Sequence, residues 1–255
     1  MAAQSLVRYS YQHPLQTFDA NFTGTLNVLE GVRQAGSIKA LVVITTDKCY
    51  QNLDTGRLFK EDDALGGKDP YSASKAAAEI VTSSYYQSFL KDAGIPTASA
   101  RAGNVIGGGD WAEDRLIPDV IRSIQAGRAV SIRSPKATRP WQFVLEPLSG
   151  YMLLAERLYK DGHKFAGGWN FGPEETDIKP VEEVMNILRQ TLDFKLELDT
   201  ALQPTEAKLL ALSIDKAKRE LGWQPKLNLS QAVGWTGEWY KAFLEGKNIT
   251  AEQIE

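Results

Sequence analysis

The chain has 255 residues, 43% hydrophobic and 24% charged, with 21 glycines and 11 prolines, which is close to the globular average and excludes disordered, collagen-like and coiled-coil sequences. Twenty-nine Lys and Arg against 32 Asp and Glu give a formal net charge of −3, and no segment is strongly basic, which argues against a nucleic-acid partner or a polybasic membrane patch. Cys49 is the only cysteine, so an internal disulfide and a Cys-based zinc site are excluded, in keeping with a reducing compartment.

From the N-terminus, Leu15, Phe18, Phe22, Leu26, Leu29 and Val32 recur every three or four residues and predict a helix over 14–35, with Pro14 in its first turn and Gly36 just past its end. Residues 39–44 form a short, β-branched run that reads as a strand buried on both faces, as in a parallel sheet. A polar loop over 51–69 leads to Pro70 and a second long helix to about residue 93, closed by Gly94. Residues 96–102 read as another strand. Strand, helix, strand in this order signals an α/β sheet with crossover helices. Residues 103–115 read as irregular. Further on, helices are expected over 118–126, 147–161, 180–192, 215–221 and 229–244, and strands over 129–133, 169–172 and 195–198. The second half thus reads as a smaller mixed α+β portion. No apolar run approaches the roughly 20 residues of a membrane helix, and the first eight residues lack a signal-peptide layout. A soluble, cytoplasmic chain is expected.

Chemistry concentrates in two places. Thr46, Asp47 and Lys48 follow the first strand, and ligands of open parallel sheets sit beyond the carboxyl ends of their strands. The same residues also suit a solvated strand-to-loop junction. Tyr71 and Lys75 stand at i and i+4 at the start of the second long helix, so they share a face one turn apart. A nearby ammonium favours the phenolate, lowering a phenol pKa near 10 and making Tyr71 a candidate base. His13 and His163 have no companions at metal-ligand spacing, so no metal is expected. Trp235 and Trp239 read as core packing.

The conjunction of Thr45-Thr-Asp-Lys-Cys-Tyr-Gln-Asn52, Tyr71-Ser-Ala-Ser-Lys75, Arg101-Ala-Gly-Asn-Val-Ile-Gly-Gly-Gly-Asp-Trp111 and Asp114-Arg-Leu-Ile-Pro118 resembles the extended short-chain dehydrogenase/reductase superfamily. Within it the chain is similar to the nucleotide-sugar 4,6-dehydratases, and most of all to the CDP-glucose 4,6-dehydratases. Arg139-Pro-Trp141, Trp169-Asn-Phe-Gly172 and Lys218-Arg-Glu-Leu-Gly-Trp-Gln-Pro225 fit in order, so the resemblance covers essentially the whole chain.

The resemblance implies an incomplete Rossmann-like, doubly wound parallel sheet with a smaller α+β substrate-binding portion. Residues 1–112 would be the later part of an NAD-binding domain. Residues 113–255 would mainly bind the nucleotide sugar, with 140–172 returning to the sheet. It implies bound NAD and a reaction in which C4 of the sugar is oxidised, water leaves across C5 and C6, and hydride returns to C6. Tyr71 would take the C4 hydroxyl proton, Lys75 would hold the nicotinamide ribose, Thr46 would bind the C4 oxygen and Asp47 would protonate the departing C6 hydroxyl. Lys48 stands where many related dehydratases have a Glu as the C5 base; a Lys serves there only if burial or a neighbouring cation, such as Lys75, lowers its pKa from about 10.4. Ala2, Ala3, Thr45 and Ala102 would join Tyr71 and Lys75 around NAD. Gln4, Asn104, Arg115, Arg133 and Arg139 would bind the nucleotide sugar, Arg139 pairing with the pyrophosphate.

Gly107-Gly-Gly109 lacks the context of a dinucleotide fingerprint and reads as a flexible substrate loop. No glycine-rich fingerprint and ribose reader are found, and the resemblance implies that about three βα units, on the order of 80–100 residues, precede the point where the chain begins. The 14–35 and 71–93 helices resemble the pair that forms a four-helix homodimer interface in relatives. A UDP-N-acetylglucosamine-type 4,6-dehydratase, a nucleotide-sugar epimerase and a non-catalytic remnant that binds nucleotide sugar are the alternative readings.

Overall fold

The computed structural model describes residues 2–132, 134–199 and 210–254. Arg133, one of the residues expected at the substrate, lies outside them. The chain divides into two compact units: the first comprises residues up to Gly103, Pro147–Gly172 and Leu210–Gln224, the second Asn104–Glu146, Pro173–Leu209 and Pro225–Glu255.

In the first unit, helix α1 (Val7–Gln12) precedes α2 (Pro14–Phe18), a π-turn over Asp19–Thr23 and α3 (Gly24–Ala35). These last three run on as the helix expected over 14–35. Gly36 ends it at φ 62°, a left-handed conformation that a residue without Cβ adopts freely. Strand β1 (Leu41–Ile44) follows. Helix α4 (Pro70–Tyr85) starts at an N-cap in which Asp69 Oδ1 accepts from the Ser72 amide at 2.9 Å, with Pro70 in the first turn, where its missing N–H costs nothing. Strand β2 (Thr97–Ala102) is buried throughout. It pairs in parallel with β1, Leu41 beside Thr97 and Ile44 beside Ala100.

Strand β2 shows why the sheet is covered on both faces. Ala98 and Ala100 join a core with Leu154, Leu158, Trp169, Phe171 and Trp223, whereas Ser99 and Arg101 turn their side chains to Glu79 of α4. Side chains of a strand alternate between faces, so small apolar residues meet one helical layer and polar ones the other.

The second unit opens with β3 (Asn104–Ile106), α5 (Leu116–Gln125), β4 (Val130–Ile132) and β5 (Thr138–Phe143). β3 and β5 were not legible in the sequence. β3 is three residues long and pairs in parallel with β5, which carries Pro140, and such short or proline-bearing strands rest on tertiary pairing rather than propensity. Helix α6 (Leu145–Asp161) leads into β6 (Gly167–Phe171), which pairs in parallel with β2 and completes the first unit's β1–β2–β6 sheet. The expectation that β1 is buried on both faces is corrected. All four of its residues are only half-buried, because β1 is the outer strand of the described sheet, with β2 alone beside it.

In the second unit β7 (Ile178–Pro180) pairs antiparallel to β5, and β8 (Leu196–Leu198) parallel to β4. Helices α7 (Val181–Leu188), α8 (Leu229–Leu244) and α9 (Thr250–Ile254) complete it. α8 begins in a capping box, Asn228 and Gln231 each bonding the other's backbone amide, which satisfies two otherwise orphaned donors. Val184, Met185, Leu188, Val233 and Tyr240 pack with Val120, Ile121, Trp141 and Phe143 in the core of this unit.

Candidate active site

Strand β1 ends at Ile44 and hands the chain to Thr45, Thr46 and a single 3-10 turn, Asp47–Cys49. The Thr46 hydroxyl accepts from the Lys48 amide at 3.4 Å and so caps the turn. The same hydroxyl donates to Asp47 Oδ1 at 3.0 Å. Asp47 is 1% exposed, and its Oδ2 has no hydrogen-bond partner among the described residues. A buried carboxylate oxygen left unpaired is costly. Lys48 Nζ stands 3.8 Å from Asp47 Oδ1 and its side chain is 30% exposed. Asp47 is thus the ion-pair neighbour of Lys48.

Helix α4 packs on this turn. It carries Tyr71 and Lys75, both buried, on one face. The Tyr71 amide donates to the Ser10 hydroxyl of α1 at 3.2 Å, tying the first turn of α4 in place. Lys75 Nζ donates to the Ile44 carbonyl at 3.3 Å, so the amine lies at the end of β1. Burial pulls the Lys75 amine below its ordinary pKa, while the negative charge of Glu79 works in the opposite direction. An ammonium donates three hydrogen bonds, and the Ile44 carbonyl takes one of them.

Beneath the site lies a polar network that the sequence did not reveal. Glu79 accepts from the Thr45 hydroxyl, from Ser99 Oγ at 2.6 Å and from Arg101 at 2.8 Å. Arg101 also donates to the Tyr50 hydroxyl at 2.7 Å, and that hydroxyl donates to Asn170 Oδ1 at 2.7 Å. Its guanidinium lies 4.9 Å from the Tyr50 ring centroid. Burial drives the Tyr50 phenol well above its usual range, against the pull of Arg101. Burial, together with the Asp47 charge, does the same to Tyr151 of α6. One signal for this network was available: an arginine inside an otherwise small and apolar strand demands a buried partner, and Glu79 is one further turn along the helix face of Tyr71 and Lys75.

Of the residues expected at NAD, Thr45 and Ala102 are buried, at the ends of adjacent parallel strands, and Ala2 and Ala3 are exposed. The Gln4 side-chain amide donates to Thr17 Oγ at 2.8 Å and to the Leu6 carbonyl at 3.1 Å, so its bonding is spent locally. Asn104, Arg115 and Arg139 belong to the second unit. Asn104 opens β3. Arg115 pairs with Asp110 at 2.8 Å, and Arg139, on β5, donates to the Thr138 carbonyl at 2.9 Å. Gly107–Gly109 lies against α8, where a Cβ on Gly108 would fall 2.2 Å from the Trp239 ring.

The profile of the family described as GDP-mannose 4,6 dehydratase matches residues 1–235. The chain belongs to this dehydratase family. It is 48% identical to the CDP-glucose 4,6-dehydratase of Salmonella typhimurium, over 98% of this chain and 71% of that protein. Among solved structures, the NAD complex of the dTDP-glucose 4,6-dehydratase of Bacillus anthracis is similar at a TM-score of 0.76 and 25% identity, covering 91% of this chain and 71% of that one. The dTDP-glucose 4,6-dehydratase of Streptomyces venezuelae shares the fold at a TM-score of 0.82 and 23% identity, covering 97% of this chain and 73% of that one. The α/β units with their parallel strands are thus of the Rossmann type found in NAD-dependent dehydratases and epimerases.

Proposed function

We propose that the chain catalyses the 4,6-dehydration of a nucleotide sugar, CDP-glucose, to its 4-keto-6-deoxy product. The observation that supports this most is the gathering of Tyr71, Lys75, Thr46 and Asp47 around the carboxyl end of β1, with a buried, unpartnered Asp47 oxygen, in a chain 48% identical to a CDP-glucose 4,6-dehydratase.

NAD fits the residues present. The Lys75 ammonium keeps donors beyond the one given to Ile44, and the buried Thr45 and Ala102 close the ends of adjacent strands. These residues, with Tyr71, Ala2 and Ala3, would hold it, and when bound it would take the C4 hydride and give it back at C6 after water has left, as C5 is reprotonated. Tyr71 removes the C4 hydroxyl proton, its phenolate favoured by the ammonium one turn away. Thr46 donates to the C4 oxygen. With a ketone at C4 the C5 hydrogen is acidic; Lys48 in its neutral form would take it while Asp47, entering protonated, gives its proton to the departing C6 hydroxyl and water leaves, the proton arrangement opposite to that of the ion pair in which the two stand 3.8 Å apart. Asn104, Arg115, Arg139 and Gln4 are the residues of the chain proposed for the nucleotide sugar.

No helix among the described residues is long and apolar enough to cross a membrane, and we place the chain in the cytoplasm. Leu15, Val28 and Ile80 of α2, α3 and α4, and Phe89 in the π-turn just beyond α4, are exposed large apolar side chains, and a homodimer would bury them.

The test is incubation of the purified chain with NAD and CDP-glucose, UDP-N-acetylglucosamine or dTDP-glucose, read by proton NMR. A C6 methyl signal with loss of the C4 proton, fastest from CDP-glucose, supports the reading. Binding of CDP-glucose without conversion supports the non-catalytic alternative, and neither binding nor conversion overturns both.

A further inference from the structure

Lys75 is 7% exposed, and among the described residues its amine donates to one backbone carbonyl, that of Ile44. Removing an ammonium from water with only a dipole for company pushes it towards the neutral amine. A neutral amine would not favour a phenolate on Tyr71. A countercharge is therefore required, and the site residues proposed above do not include one dedicated to it.

Glu79 stands four residues after Lys75 on the same face of α4, and it is 3% exposed. Its two oxygens are fixed from outside its own helix. The Thr45 hydroxyl donates to Oε1, and Ser99 Oγ and the Arg101 guanidinium donate to Oε2 at 2.6 and 2.8 Å. Three donors of this kind fix where the carboxylate sits. They come from the residue that follows β1 and from two residues of β2, so the carboxylate also ties the segment leading to Thr46 and Asp47 to the helix bearing Tyr71 and Lys75.

We propose that Glu79 is a positioning residue for the site: clamped by Thr45, Ser99 and Arg101, its carboxylate is the buried counter-charge of the Lys75 ammonium and locks the end of β1 to α4. This rests on the reading of Tyr71 and Lys75 given above.

The groups surrounding Lys75 are few. From the turn after β1 come Asp47, Lys48 and the buried thiol of Cys49, which burial keeps protonated. From β2 comes Arg101, whose guanidinium is turned to Glu79, to the Tyr50 hydroxyl and to the Glu61 carbonyl. From the helices on the far side of α4, the buried polar side chains are Ser10, Thr17 and Asn21, all uncharged. Ser10 and Asn21 bond the Tyr71 amide and the Ser74 hydroxyl. The Glu79 carboxylate favours the ammonium, against burial.

The test titrates Lys75 directly, by NMR of the chain labelled with carbon-13 at lysine Cε, the Lys75 signal being identified by its loss in Lys75→Arg. In the unmodified chain Lys75 is expected to be an ammonium at pH 7. In Glu79→Gln its midpoint should fall by about one pH unit or more, with partial recovery in Glu79→Asp. A neutral Lys75 at pH 7 in the unmodified chain overturns the proposal even if Glu79→Gln does not fold. An unchanged midpoint in folded Glu79→Gln overturns it as well. Neither measurement uses substrate or cofactor, so a chain that fails to convert CDP-glucose counts against the proposed reaction and not against the role of Glu79.

Discussion

Gly108 sits where the loop after β3 meets helix α8, and a Cβ built on it would lie 2.2 Å from both Cγ and Cδ2 of Trp239 and 2.6 Å from Cδ1. The backbone of Gly108 is outside the left-handed region, so Gly108→Ala meets a steric problem and no conformational one. Trp239 has little room to retreat. Its ring is stacked on Phe243 at 5.8 Å and lies edge-on to Tyr240 at 5.1 Å, and its Nε1 donates to Thr250 Oγ at 3.0 Å. Overpacking against such a wall costs about 1–3 kcal/mol, and that is the destabilisation expected for Gly108→Ala in urea unfolding. Because the clash involves the first ring atoms, only truncation to Cβ removes it. In a Trp239→Ala background the same Gly108→Ala change should cost nothing, or stabilise by about 0.4–1 kcal/mol through the lost freedom of the unfolded chain. Gly109 is the contrast: at φ 76° with Trp239 atoms no nearer than 3.7 Å, Gly109→Ala should cost about 1–2 kcal/mol from backbone strain, alike in both backgrounds. An equal cost of Gly108→Ala with and without Trp239, measured as a double-mutant cycle, would refute the clasp. The same clasp packs Gly107–Gly109, the loop that follows β3, against α8.

Tyr71→Phe should lower product formation by about 10²–10⁴-fold with urea unfolding unchanged; near-normal turnover by NMR would remove Tyr71 from the proposed chemistry. Asp47→Asn should lose turnover by a similar factor while still binding CDP-glucose in calorimetry, and loss of binding with it would contradict the role given to the acid. Arg101→Met removes the guanidinium paired with buried Glu79 and should destabilise the chain by about 3–5 kcal/mol in denaturant unfolding, and adding Glu79→Leu should recover only part of this, because Lys75 then loses its counter-charge. Burial raises the Tyr50 and Tyr151 phenols and brings Tyr240 to about 12. In the unfolded chain these phenols titrate near 10, so the stability they contribute is complete below that pH and is lost as pH rises through the folded values. An absorbance titration of the folded chain at pH 11 should therefore find fewer phenolates than its nine tyrosines would give, the remainder appearing on unfolding.

Long elements were legible because their signals are local. Gly36 and Gly94 close their helices at φ 62° and 70°, and residues 229–244 form a helix with the bounds their periodicity predicts. β3 and β5 were not, because a three-residue strand and a strand with an internal proline exist only through the partner opposite. The chemistry-bearing residues divide in the same way. Tyr71 and Lys75 are one helical turn apart, so spacing alone places them together. The bond between Tyr50 and Asn170 spans 120 positions, and that between Thr45 and Glu79 spans 34; no periodicity reports such pairs.

The network under the site also orders the segment that follows β1. Side chains hold it at both ends: Thr45 on Glu79, Thr46 capping the turn, Cys49 and Tyr50 in a core with Phe59, Ala76 and Leu212. Tyr50 is 1% exposed and its hydroxyl is bonded on two sides, so the far end of the turn is as fixed as the near one. Asp47 lies between these two anchors. Its unpaired Oδ2 is therefore held in place without being satisfied, which is the condition a proton donor needs if its remaining bond is to be made to a substrate.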